Sequence, residues 1–115
     1  MSVCPFADAT KSDVNQARTT EGSTPLYVAS QNGHTDIVAI LLGTPGIHIN
    51  QHNNINQTPL NIASDNGNTE IVRLLLQQPN IDLNKQDDWN DSPLGAAKKK
   101  NHTEIIQLLT DAGAQ

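Results

Sequence analysis

The chain has 115 residues, enough for one domain, and a net charge of −5, which disfavours nucleic acid as a partner. Only 36% of the residues are apolar and 3% aromatic, thin for a globule around one core but adequate for small units that bury their faces on one another. The single cysteine, Cys4, excludes an intrachain disulfide, and no apolar run approaches the ~20 residues that span a membrane.

The opening residues MSVCPFADATKSD lack a basic stretch followed by an apolar run, so a reducing, cytoplasmic setting is the expectation, with the nucleus as the alternative in a eukaryote. Val3, Cys4, Phe6 and Ala7 make residues 1–12 a candidate N-terminal lid, the alternative being a disordered segment. Thereafter the chain repeats itself. Thr24-Pro25-Leu26, Thr58-Pro59-Leu60 and Ser92-Pro93-Leu94 start 34 residues apart, and Ala29, Ala63 and Ala97 keep the same register. A fixed period of this length marks a stack of helical units.

In the first unit, residues 13–46, Thr24 is a good N-cap and Pro25 suits the first helical position, where its missing N–H costs nothing. Gly33 tolerates the left-handed conformation that ends a helix. Thr35 is read as the cap of a second helix, with Asp36 near its positive end, and Pro45 closes it. The second unit, 47–80, repeats this with Thr58, Gly67, Thr69, Glu70 and Pro79. The third, 81–115, uses Ser92, Asn101, Thr103 and Glu104, and its polar Thr110 stands where Leu42 and Leu76 stood, as suits a terminal cap. Helix pairs are predicted at about 24–42, 58–76 and 92–111, joined by polar connectors at roughly 47–57 and 81–91. The fold class is an all-α solenoid.

These residues resemble the ankyrin repeat. Thr24-Pro25-Leu26-Tyr27-Val28-Ala29-Ser30 with Gly33-His34-Thr35-Asp36-Ile37-Val38 matches most of that pattern, and Asp111-Ala112-Gly113-Ala114 matches its ending. The resemblance covers residues 13–115 and implies helix-turn-helix repeats with projecting β-hairpin-like fingers. The family histidine after Thr-Pro-Leu is replaced by Tyr27, Asn61 and Gly95, so its bonds must be rebuilt or lost. Asn50 and Asn84 stand where the family's finger asparagine bonds the connector, a position similar to asparaginyl-hydroxylation sites in ankyrin repeats.

Chemistry-bearing residues are few. His34 and His102 hold a repeat position and read as structural. His48 and His52 are four apart, a metal-like spacing, but sit in a connector without a third ligand, and no cofactor or metal is expected. The Asn56, Asn90 and Asn101 glycosylation-type triplets each use a repeat hydroxyl, so they are by-products of the motif. Lys98-Lys99-Lys100 reads as a solvated helix end with Asp87, Asp88 and Asp91 nearby. With no nucleophile and attendant base, the expectation is a non-catalytic module.

By resemblance, such domains bind another protein through the fingertips and the exposed side of the first helices. Here those positions include Thr20, Glu21, Ser23, Tyr27, Gln31 and Asn32 in the first unit. Asn54, Ile55, Gln57, Asn61, Asp65 and Asn66 follow in the second, and Asp88, Trp89, Asp91, Lys99 and Lys100 in the third. Ile55 and Trp89 are one period apart and should be neighbouring tips on one edge, an apolar pair in a polar rim; the alternative is that Trp89 folds back on its finger and packs locally. A monomer is expected, with neither nucleic acid nor membrane as partner. The other readings are a regulatory or targeting fragment of a larger protein, and a structural repeat with no dedicated partner. Against the fragment reading, Met1 and the Gly113-Ala114 ending make a complete small protein the milder expectation.

Overall fold

A computed structural model describes residues 22–114. The expected lid at 1–12, along with Thr20 and Glu21, lies outside the described residues. Six helices follow in order: α1 (Pro25–Asn32), α2 (Thr35–Leu42), α3 (Pro59–Asn66), α4 (Thr69–Leu76), α5 (Pro93–Lys99) and α6 (Thr103–Ala112). The three pairs fall within a residue of the predicted limits.

The first helices start as the capping chemistry requires. Thr24, Thr58 and Ser92 have extended backbones, and their side-chain oxygens accept from the amides of Tyr27, Asn61 and Gly95 at 3.2, 3.2 and 3.1 Å. Helices α1 and α3 stop at Gly33 and Gly67, with φ of 76° and 78°, and Asn101 takes the same left-handed conformation at φ 60° just past α5.

The second helices correct the expected cap by one residue. His34, Asn68 and His102 are the N-caps, none with a side-chain cap bond, and Thr35, Thr69 and Thr103 are the first helical residues. In two of the three units the cap side chain reaches the preceding repeat. Asn68 Nδ2 donates to the Ser30 carbonyl at 2.7 Å, and His102 Nε2 lies 3.1 Å from the Asp65 carbonyl. Satisfying a neighbour's helix-end carbonyl here replaces capping the helix's own amides.

The helices form two layers. The first helices α1, α3 and α5 pack in series, the second helices α2, α4 and α6 do likewise, and each pair also packs internally. The core is a lattice of repeat positions: Leu26, Leu60 and Leu94; Ala29, Ala63 and Ala97; Val38 and Val72; Ile71 and Ile105; Leu75 and Leu109. Alanine recurs at one buried position of the successive first helices, where a larger side chain would hold them apart.

Candidate protein-binding face

The second and third fingers are tight turns, each organised by one short polar side chain. In the second finger, Asn53 Oδ1 accepts from the amides of Ile55 and Gln57, both at 3.0 Å, and the Asn53 amide donates to the Gln57 carbonyl. Asp87 repeats this in the third finger, its Oδ1 accepting from Trp89 and Asp91 at 2.9 Å each. Both side chains are buried. Asn56 and Asn90 close the turns with φ of 62° and 63°, and Gly22, at φ 75°, holds that register in the first finger. Such hairpin-like tips contain no strand among the described residues. Sequence reasoning did not select Asn53 and Asp87. Their signal is the recurrence, one period apart, of a side chain that can bond its own backbone two residues on.

Neighbouring tips are bonded together. The Asp88 amide donates to the Ile55 carbonyl at 3.0 Å, and Asn56 Nδ2 donates to Asp88 Oδ1 at 2.7 Å. Ile55 is half-buried, whereas Trp89, the residue after Asp88 at the next tip, is 61% exposed. Ile55 also borders a groove of about 390 Å3, lined with Tyr27, Gln31, Asn53, Asn54, Gln57 and Ile62.

Several positions expected on the surface are internal. Tyr27 is only 4% exposed, because its ring lies under the second finger and its hydroxyl donates to Gln57 Oε1 at 2.6 Å. Gln57 is held from the other side too, Nε2 donating to Asp87 Oδ2 at 3.4 Å. Ser23 and Asn61 are buried as well. Asn61 rebuilds the family histidine's network: Oδ1 accepts from the Thr58 amide and hydroxyl, while Nδ2 donates to the carbonyls of Lys85 and Asp91 at 3.0 and 3.3 Å. Gly95 has no side chain with which to do so.

Gln31, Asn32, Asn54, Asn66, Asp88, Lys99 and Lys100 are exposed on this face, while Asp65 and Asp91 are partly buried. The lysines are paired: Lys99 with Asp91 at 2.8 Å and Lys100 with Asp65 at 3.5 Å. The hydrogen bond to the Asp91 carboxylate, aided by its charge, raises the Lys99 pKa above the ordinary lysine value. Away from the face, Asn50 bonds the next connector, Nδ2 donating to the Asn80 carbonyl and Oδ1 accepting from the Asp82 amide, both at 2.7 Å. His48 Nδ1 lies 3.3 Å from Gln51 Oε1 and His52 Nδ1 lies 3.0 Å from the Asn53 carbonyl. Among the described residues no group of three or more metal-ligating side chains occurs.

The family model described as ankyrin repeats (3 copies) matches residues 4–87. The chain belongs to the ankyrin-repeat family. No curated protein matches it. The match ends at residue 87, and the helix pair α5–α6 continues the ankyrin stack beyond it. Ankyrin repeats are in general protein–protein interaction modules and typically non-catalytic. No described ankyrin helix is long and apolar enough to cross a membrane.

Proposed function

We propose that this ankyrin domain is a non-catalytic recognition module that binds another protein through its fingertips and the exposed side of its first helices. One observation carries the reading. Trp89, the only tryptophan in the chain, stands largely in solvent at the tip of a turn whose backbone is fixed by Asp87 and bonded to its neighbour. An indole exposed on a rigid support loses little entropy on binding and can supply a large share of an interface's energy. The half-buried Ile55 and the groove beside it extend the apolar surface, and the side-chain amides of Gln31 and Asn54 rim it.

Comparative capture with wild-type protein and Trp89→Ala as baits identifies candidate partners, and calorimetry with the purified candidate measures the difference. Trp89→Ala should weaken binding by ~2 kcal/mol or more while leaving the melting temperature in place. A blue-shifted tryptophan emission that soluble quenchers cannot reach would assign Trp89 to packing and remove this reading.

A further inference from the structure

Resting on that face, we propose that the partner presents an extended basic segment, with an arginine stacked on the Trp89 indole and paired with the Asp88 carboxylate, and with an apolar side chain seated in the groove beside Ile55. The charges on the face decide the sign. Asp65 and Asp91 are neutralised by Lys100 and Lys99. Asp87 is turned inward, one oxygen on two amides and the other on Gln57. Asp88 is different. It is exposed, takes part in no ion pair among the described residues, and accepts only the neutral amide of Asn56. That bond aims the carboxylate without cancelling its charge. Lys98 does not offset it, because it holds the register of Ser30 and Ser64, which are buried, and so belongs to the open end of the stack.

A guanidinium meets both demands of the third tip. Its plane stacks on an aromatic face, and its edge pairs with a carboxylate. An ammonium supplies a point charge without the stacking plane. The apolar half of the proposal comes from the groove, where Ile55, Ile62 and the Tyr27 ring leave space for an aliphatic side chain. Adjacent repeats stack at about the 8–10 Å of packed helices, and an extended chain advances about 3.3 Å per residue. The apolar residue and the arginine should therefore be about three residues apart. The chain's net charge of −5 favours the same partner at longer range.

The test is selection of short random peptides displayed against the full chain, with Trp89→Ala as the counter-selected bait, followed by titration of recovered peptides on the Trp89 emission. The expected winners carry an arginine about three residues from an aliphatic side chain. Exchanging that arginine for uncharged citrulline should weaken binding about fivefold. Asp88→Asn, which keeps the acceptor for Asn56, should cost the same, and the two losses should not add. Added salt should weaken the wild-type complex more than that of Asp88→Asn, which keeps only the longer-range attraction. Recovered peptides without basic residues that still require Trp89 would overturn the basic partner and leave the face standing. Peptides indifferent to Trp89 would overturn both, and a selection that recovers nothing would overturn the basic partner.

Discussion

Ile37 and Ile71 occupy the same position in successive second helices, yet Ile37 is 47% exposed and Ile71 is 1% exposed. The helices that carry them are close copies, TDIVAILL against TEIVRLLL. Helix α4 packs against α2 on one side and α6 on the other, and buries Ile71, Val72 and Leu75. Helix α2 buries only Val38. Their outer positions differ as well. Arg73 of α4 pairs with Glu70 and with Glu104 of the next repeat, whereas α2 has Ala39 there and leaves Ile40 70% exposed beside it. In a stack, a residue's burial is set by whether a neighbour stands over it, so identical local patterns can have different energetic weight.

That contrast can be broken most sharply by paired substitutions. Ile71→Ala should cost ~2–5 kcal/mol in urea unfolding, and Ile37→Ala under ~1 kcal/mol, since a cavity forms only where neighbours enclose the site. Equal losses would mean that α2 is covered as fully as α4. Next in size is Ala63→Leu in the middle repeat, expected to destabilise by ~1–3 kcal/mol through overpacking between α1, α3 and α5. Circular dichroism melts would show a lowered midpoint, and an unchanged one would mean that the stack has room at this position. Asn61→Ala, which strips four hydrogen bonds but leaves no cavity of comparable size, should cost ~1–3 kcal/mol. The smallest effect belongs to the tip: Trp89→Ala should shift unfolding by no more than ~0.5 kcal/mol, because little of that side chain is buried.

Helix limits were legible because caps and terminators are local: Thr-Pro at one end and a glycine or asparagine at the other act through their own backbone. The core was legible for a related reason, since alanine, leucine and isoleucine recur at fixed intervals. What the sequence concealed is side-chain direction between repeats. Tyr27 and Asn61 stand at a first-helix position that faces the next finger, and only the placement of Gln57, Lys85 and Asp91 reveals that they are bonded there. The second caps misled for the same reason. Thr69 and Thr103 suit capping by composition, but Asn68 and His102 occupy the position, and their partners lie in the preceding repeat. The exposure of Trp89 was inferred from the period, which puts it at a tip.

Besides the bonds of Gln57 and Asn61 and the pairs Arg73–Glu104 and Lys100–Asp65, three sets of bonds join the second and third repeats on different elements. Ile55, Asn56 and Asp88 join the tips; Asn50 joins the outer ends of the connectors; His102 joins the helix turns on the far side. Three fasteners that do not lie on one line define a plane. A hinge needs an axis about which some contacts persist while the others open, and here each possible axis leaves at least one fastener to be broken. This junction should therefore bend like a plate rather than a chain link, with the elasticity of a short stiff beam along the stack. A partner docking at the tips, as proposed, would meet a surface whose spacing it cannot adjust.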